Sequence, residues 1–462
     1  MATIYGTAGS DVRVGTLARD KIFGYPAGGN PEVDLGDFLY GDAINQQRPG
    51  FDQSIFNGND ALEGGAGDDV LSGDSAGFIA ENESWVFGGK DFLAGGSGTD
   101  SLYGDAVGDF RAGGLDEVHG GDDTLRAGSG NDRLYGDAGG LITSAMDPAY
   151  ASTGKTNGGG NDLLEGDDGD DLLYGDSGGE LSATGGGRLI GGDWVSGGAV
   201  RGGDDALYGG DGDDTLFGDA GTNIAVHDSP LGHATAGNDR LAGGIGDDTI
   251  YGDAAGNIVA EHGRITLGRD TLLGGDGNDT LYGDVGGTIT SLGTGTVDGG
   301  ADRLYGDEGN DALFGGFGND LLYGGNGADA LHGDEGDDCL AGNSGNDTID
   351  GGLGRDRMSG GAGADSFVFK SLADSGVGSQ RDAIVDFTPG EDLLNLSAID
   401  TGGAGPLTFI GTAAFTHHAG ELHYIPRGAT TYVEIDATGD GVADFQIGLR
   451  GNLTLRESDF VL

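Results

Sequence analysis

Large apolar residues recur at every ninth position through residues 306–368, in the run GDEGNDALF, GGFGNDLLY, GGNGADALH, GDEGDDCLA, GNSGNDTID, GGLGRDRMS and GGAGADSFV. A nine-residue period is too short for a helical repeat that carries its own turn. It suits a tight six-residue turn followed by a three-residue strand, so that two nonapeptides close one right-handed coil turn and equivalent positions stack. The apolar positions Leu313, Leu322, Leu331, Leu340, Ile349, Met358 and Phe367 are then predicted to point inward as one stacked core. The shared form is GGxGxDxUx, with U large and apolar. Glycine at the first, second and fourth positions permits positive φ and close approach of neighbouring backbones.

Across residues 56–305 the same units come in pairs, a partial one such as GGGNDLLE (158–165) before a full one such as GDDGDDLLY (166–174). A GD dipeptide then opens a less regular excursion. Full units begin at Gly64, Gly95, Ala127, Gly166, Gly209, Gly243 and Gly274, at spacings of 31 to 43 residues, which makes a superrepeat. The excursions start alike, as in GDAGGLITS from Gly136 and GDVGGTITS from Gly283, and contain short apolar alternations at 257–260 and 264–267. These predict extra strands or hairpins that lengthen alternate coil turns.

The expected organisation is therefore all-β. Residues 1–55, with degenerate echoes such as GDFLYGDA at Gly36, form a cap; 56–305 form interrupted superrepeats; 306–368 form the regular coil. Beyond Phe369 glycine thins and ordinary strand patterns appear at 383–387, 422–425, 431–435 and 444–449, which predict a separate β cap over 369–462.

Charge narrows the function. The 78 acidic side chains against 22 basic ones give a formal net charge of −56, which argues against nucleic acid or an anionic membrane surface as partner and points to cations. The acids stand at fixed positions beside glycine and leucine instead of in blocks, unlike a solvated acidic tail, and the chain is expected to be disordered until cations are supplied. The single cysteine, Cys339, rules out an intrachain disulfide framework and leaves bound metal as the substitute. No apolar run approaches the ~20 residues that span a bilayer. The opening MATIYGTAGSDVRVG lacks the basic segment and apolar core of a signal peptide, so export is expected to use another address.

Calcium takes six to eight oxygens at roughly 2.3 to 2.6 Å from carboxylates and carbonyls. A glycine-rich turn offers the carbonyls, and the aspartate at the sixth position offers the charge. In the regular block these candidates are Asp311, Asp320, Asp329, Asp338, Asp347, Asp356 and Asp365. Upstream full units offer Asp69, Asp100, Asp132, Asp171, Asp214, Asp248 and Asp279; partial units offer Asp60, Asp91, Asp123, Asp162, Asp205, Asp239, Asp270 and Asp302. For an isolated turn the plainer alternative is an Asx-turn, in which the carboxylate bonds its own backbone. Stacked turns are different, because the regular block carries 13 acids against 2 arginines and would repel itself without cations.

These residues resemble the hemolysin-type, or RTX, calcium-binding nonapeptide repeat. The resemblance covers 56–368 and implies a parallel β-roll with calcium between successive turns. The segments DAIVDFTPGEDLLNLSAIDT (382–401), AGELHYIP, TTYVEIDATGDGVADFQI and SDFVL resemble the C-terminal domain that follows RTX repeats in serralysin-type proteases and related exported proteins. That resemblance implies an extracellular protein exported by type I secretion machinery, with Asp459, Phe460, Val461 and Leu462 as part of the address. Within the cap, Asp436, Asp440 and Asp444 with Gly441 resemble a calcium loop, but Ile447 stands where glutamate belongs, leaving at best a weak site.

Enzyme-like strings are explained by the repeat. GDSGG at 175–179 and GDSAG at 73–77 sit where sister repeats carry GDAGG or GDVGG, so Ser177 and Ser75 read as repeat variation. AYASTGKT at 149–156 lacks the strand and helix of a phosphate loop. No HExxH pair occurs, and His417 and His418 read as surface residues. The expectation is a non-catalytic, calcium-folded structural or interaction protein; rival readings are a polysaccharide- or membrane-active effector, or an accessory module of a secreted enzyme. Phe78, Trp85 and Phe87, then Leu141, Ile142 and Tyr150, then Trp194 and Val195 recur at successive levels of the superrepeat. They line a lateral surface for self-association or a cell-surface layer, or else they complete a wider core.

Overall fold

The computed structural model describes residues 3–5, 12–14, 21–23, 38–40, 55–56, 58–74, 78–80, 85–113, 117–145, 156–184, 188–190, 193–195, 199–227, 232–261, 263–403 and 405–462. Among them the regular structure is β-strand, apart from single 3₁₀ turns at Gly378–Gln380 and Glu457–Asp459. No helix among them is long and apolar enough to cross a membrane. The chain forms two compact units, Met1–Thr271 with Asp284–Gly299, and Leu272–Gly283 with Gly300–Leu462.

In the first unit each rung is built from four short strands. One rung runs Phe92–Ser97, Ser101–Tyr103, Phe110–Gly113 and Glu117–His119. The next runs Thr124–Ser129, Arg133–Tyr135, Ile142–Ala145 and Thr156–Gly158. Each strand pairs in parallel with its counterpart, with Leu93 on Leu125, Leu102 on Leu134, Phe110 on Ile142 and His119 on Gly158. The excursions thus form two parallel ladders of their own, of seven and eight strands among the described residues. Equivalent aspartates lie 31, 32, 39, 43 and 34 residues apart. The longest interval carries an antiparallel hairpin, Arg188–Ile190 with Asp193–Val195, between the third and fourth strands.

Two cores result. Leu62, Leu93, Leu125, Leu164, Leu207 and Leu241 stack fully buried in the first strands, as do Leu71, Leu102, Leu134, Leu173 and Leu216 in the second. A separate cluster between the excursion ladders contains Val118, Ile142, Val200, Ile224, Ala234, Ile258 and Ile265. Ile142 therefore belongs to a wider core instead of a lateral surface. The side chains of Phe78, Trp85, Trp194 and Val195, and Tyr150 altogether, lie outside the described residues. On the flank, Tyr103, Tyr135, Tyr174, Phe217 and Tyr251 stack with ring centroids 4.7 to 5.1 Å apart. A Cβ on Gly139 would stand 2.5 Å from Tyr103 Cε1, and Gly178 and Gly221 face Tyr135 and Tyr174 the same way, so at these levels the glycine after the GD-Ala or GD-Ser corner makes room for the ring of the rung before.

From Asp302 to Asp365 in the second unit the coil turn is two nonapeptides, since successive column aspartates are bonded 18 residues apart. The strands are longer than the sequence suggests: Ala312–Phe317, Leu321–Asn326, Ala330–Glu335 and Cys339–Ser344 each have six residues, not three. The reason is that parallel pairing continues through the glycine pair into the turn, as in Gly325 opposite Asp307 and Asn343. Leu313, Leu322, Leu331, Leu340, Ile349, Met358 and Phe367 are at most 2% exposed, as the nine-residue pattern requires. The coil runs on past Phe369: Asp382–Ile384 pairs with the strand Arg357–Ala362, and Leu393–Asn395 with Ser366–Val368. Beyond it, Glu421–Arg427, Thr430–Asp436 and Phe445–Arg450 form an antiparallel sheet whose Phe445 packs edge-on to Phe369. Asp459 and Phe460 are buried, with Phe460 paired to Leu394.

Candidate metal centre

All 22 aspartates singled out by the nonapeptide pattern are buried, none more than 3% exposed, and they fall into stacked columns. In the first unit Asp60, Asp91, Asp123, Asp162 and Asp205 each donate the backbone N–H to Oδ1 of the equivalent aspartate one rung on, at 2.6 to 2.8 Å, ending on Asp239. Asp239 N–H continues to Asp270. A second column links Asp69, Asp100, Asp132, Asp171, Asp214 and Asp248 in the same way. In the second unit one column runs Asp279, Asp311, Asp329, Asp347, Asp365 and another Asp302, Asp320, Asp338, Asp356. Asp392 and Asp382, which lie beyond the nonapeptides, extend these columns by one level each.

One carboxylate oxygen is thus used by the backbone, and at the following aspartates the other is left over. Oδ2 of Asp311, Asp320, Asp329, Asp338, Asp347, Asp356 and Asp365 is buried without a hydrogen-bond donor, as is Oδ2 of Asp91, Asp100, Asp123, Asp132, Asp162, Asp171, Asp205, Asp214 and Asp239. At Asp311, Asp320, Asp329, Asp338, Asp347, Asp356 and Asp365 this oxygen faces the first glycine of its own turn. A Cβ on Gly306 would lie 2.3 Å from Asp311 Oδ2 and 2.4 Å from the Gly324 carbonyl oxygen of the next turn, so glycine keeps open a cradle lined by carboxylate and carbonyl. The second and fourth glycines serve differently, by adopting positive φ, 121° at Gly325 and 141° at Gly327. Where the second position is Asp307, Asp334 or Asn343, that residue accepts positive φ as well, a conformation Asp and Asn tolerate best after glycine.

Stripped of cations, such carboxyls resist ionisation. Burial, then repulsion from neighbours, pushes Asp338 up to about 9, with Asp320 and Asp356 as the nearest like charges. Burial likewise raises Asp100, Asp171 and Asp311 to about 7 and Asp382 to about 8. A buried carboxylate oxygen with no donor, beside backbone carbonyls and other carboxylates, is a donor set for a hard divalent cation. The residues therefore fit calcium.

The nonapeptide pattern missed a third column. Asp74, Asp105, Asp137, Asp176, Asp219, Asp253 and Asp284, the aspartates of the GD dipeptides that open each excursion, are at most 1% exposed. Asp60, Asp74 and Asp91 bring their carboxylates within 4.8 Å of one another, and so do Asp91, Asp105 and Asp123. The constant GD was the available signal. By contrast Asp436, Asp440 and Asp444 spend their oxygens on local backbone: Gly439, Asp440 and Gly441 N–H donate to Asp436, Val442 N–H to Asp440, and Ala437 and Thr438 N–H to Asp444. That is an Asx-type turn. Ser177 stacks between Ala138 and Ala220 and donates its hydroxyl to the Gly140 carbonyl at 2.6 Å, as repeat variation requires. Ser75 and most of the AYASTGKT string lie outside the described residues. His418 is exposed and pairs with the Thr416 hydroxyl.

Comparison with known proteins gives the same picture. The family described as peptidase M10 serralysin C terminal matches residues 195–462, and the RTX calcium-binding nonapeptide repeat matches four times, at 56–76, 85–110, 119–140 and 157–179. The metallopeptidase AprA of Pseudomonas marginalis is 42% identical over 93 residues, 20% of this chain and 18% of that protein. The metalloprotease AprA of Pseudomonas entomophila (strain L48) is 36% identical over 94 residues, 20% and 19% of the two chains. The chain thus spans less than a fifth of either curated relative. Among solved structures, the AlgE6R2 subunit of the Azotobacter vinelandii mannuronan C5-epimerase is 30% identical over 31% of this chain and 88% of that one, with a TM-score of 0.24.

Proposed function

The chain belongs to the family of the serralysin C-terminal domain, and from that membership we propose that it is a non-catalytic extracellular protein that calcium folds and that acts by associating with its own copies or with a cell-surface layer. Calcium binding by the RTX repeats and type I export come with the family. The non-catalytic role goes further and is supported by the repeat itself, which accounts for Ser177 as a stacking position. In this reading 1–55 and 369–462 cap the interrupted superrepeats of 56–305 and the regular roll of 306–368.

The observation that carries it is the set of orphaned buried Oδ2 atoms in the nonapeptide columns. We assign the 22 nonapeptide aspartates as calcium ligands. Bound calcium supplies the positive charge that lets those carboxylates stay ionised side by side. The chain's own part is to hold each carboxylate through Oδ1, bonded to the N–H one rung away, so that Oδ2 is presented to the glycine cradle without choice of rotamer. Because the unfolded chain presents no such cradle, binding and folding are one equilibrium. A calcium titration followed by far-ultraviolet circular dichroism should show cooperative gain of β structure in the millimolar range typical of extracellular modules. An identical spectrum in chelator and in calcium overturns the reading.

The self-association has its own test. The hairpin Arg188–Ile190 with Asp193–Val195 stands apart from the parallel ladders and carries Trp194 and Val195. Sedimentation in calcium should show concentration-dependent oligomers that replacement of Trp194 and Val195 by serine weakens without moving the calcium midpoint. A strictly monomeric species at high concentration removes this part of the proposal and favours the accessory-module reading, which the short matched stretch of two metallopeptidases also supports.

A further inference from the structure

We propose that each excursion of the first unit is pinned to the roll by a second kind of cation site, a split turn in which three carboxylates from two successive rungs hold one hard divalent cation, calcium or one of like chemistry. The proposal rests on the calcium reading above and extends it to residues outside the nonapeptide.

The excursion is inserted into a turn. Gly104 and Asp105 follow the second strand of a rung, the third and fourth strands come next, and the chain returns at Gly120, Gly121, Asp122 and Asp123. The two halves meet: Gly121 N–H donates to Asp105 Oδ2 at 2.8 Å across 16 residues. The same bond joins Gly89 to Asp74, Gly160 to Asp137, Gly203 to Asp176, Gly237 to Asp219 and Gly268 to Asp253. A split turn therefore recurs at six successive levels, from Asp74 to Asp253.

Its donor set differs from that of the continuous turn. The continuous column adds one buried carboxylate per rung, whereas the split turn adds two, one from the nonapeptide column and one from the GD column. Asp91, Asp105 and Asp123 are all buried with carboxylate oxygens within 4.8 Å. Asp91 and Asp123 each keep one buried oxygen, Oδ2, with no hydrogen-bond donor. Both are aimed at the GD corner: a Cβ on Gly73 would lie 2.1 Å from Asp91 Oδ2, and one on Gly104 would lie 2.2 Å from Asp123 Oδ2 and 1.8 Å from the Gly136 carbonyl oxygen. Carbonyl, carboxylate and absent side chain converge as they do in the continuous turn, with a higher count of charges. Higher ligand charge strengthens calcium binding. The split turns are therefore the tighter class and fill first, which closes each excursion before the rest of the roll is saturated.

The rival arrangement is a column of carboxyls that share protons and bind nothing. Equilibrium dialysis of the full chain against calcium alone at pH 8 distinguishes the two. The parent should show a tight and a weaker class of sites. Asp105→Asn with Asp137→Asn and Asp176→Asn should lower the affinity of the tight class at these levels by on the order of tenfold or more and leave the weaker class in place. Asp311→Asn with Asp329→Asn should do the reverse. An intact tight class in the triple variant, or a triple variant that binds as the parent does and gains stability in chelator, overturns the split-turn site. If the triple variant does not reach the parental circular dichroism at saturating calcium, the single Asp137→Asn variant is dialysed instead, and an undiminished tight class there overturns it equally. A parent that binds no calcium at all sinks the calcium reading itself.

Discussion

Asp338 divides its labour, with Oδ1 accepting the Asp320 N–H of the rung before at 2.8 Å and Oδ2 left for the cradle, and Asp311, Asp320, Asp329, Asp347, Asp356 and Asp365 do the same. Asp338→Ala removes both functions and should raise the calcium midpoint of folding, whereas Ser177→Ala, which loses a bond to the Gly140 carbonyl in a position held elsewhere by alanine, should leave it unchanged. Equal midpoints for Asp338→Ala and the parent would count against the ligand assignment. Protons are the other cation available to these groups. In the fold burial raises Asp214 to about 6, Asp311 to about 7 and Asp338 to about 9, against roughly 3.9 when unfolded. A raised folded value contributes stability that is complete below the unfolded value and is lost as pH rises through the folded one. In chelator the chain should therefore be most ordered near pH 4 and lose structure between about pH 6 and 9, by the shifts just cited. In calcium the dependence reverses, because the bound form is ionised and binding must release protons. Circular dichroism across pH with and without calcium checks both limbs; a chelated chain more ordered at pH 8 than at pH 4 contradicts the burial argument.

Elements are decided by the turn as much as by the strand. Gly325 has φ of 121°, and a Cβ there would lie 2.0 Å from the Asp307 carbonyl oxygen of the turn below, against backbone that cannot retreat. Gly325→Ala should cost on the order of 1–3 kcal/mol at saturating calcium, read as a shift in urea midpoint. Gly324→Ala meets Asp329 Oδ2 at 2.3 Å instead. Its main effect should be on calcium affinity, since the methyl enters the cradle. Nature has made a related change at Ala127, the first position of a full unit, so the turn of Asp132 is expected to be among the weakest of its column. Strand cores obey ordinary packing: Leu331, fully buried, should cost roughly 2–5 kcal/mol on truncation to alanine, with the calcium stoichiometry unchanged.

For the molecule as a whole, a formal charge of −56 makes calcium and compaction inseparable. Partial occupancy leaves unbalanced carboxylates stacked a strand spacing apart, so the calcium dependence should be steep, with a Hill coefficient well above one in a dichroism titration. A hyperbolic, one-site curve would mean that the rungs fill independently. High salt screens exposed charge but reaches buried columns poorly. Sodium chloride at high concentration should thus fail to replace calcium.

Much of this was legible in the linear chain because a solenoid is local: each nonapeptide repeats its neighbour's environment, so period nine alone placed the core column from Leu313 to Phe367 and the aspartates that stack beside it. The same locality exposed Ser177 as a variant of Ala138. What the chain did not reveal depends on segments of unequal length meeting in space. Asp105 finds Gly121 across an excursion, and Asp91 and Asp123 from two rungs, at intervals that vary from 31 to 43 residues along the superrepeat. No fixed spacing records that encounter. Likewise Asp382 and Asp392 continue the columns where the nonapeptide has already ended, because parallel pairing to Arg357–Ala362 and Ser366–Val368 keeps their backbone in register. And Asp436 and Asp444, spaced like ligands, were turned by a tight loop onto their own N–H groups. Repeating residues determined the columns; only stacking of unlike lengths decided which other carboxylates join them.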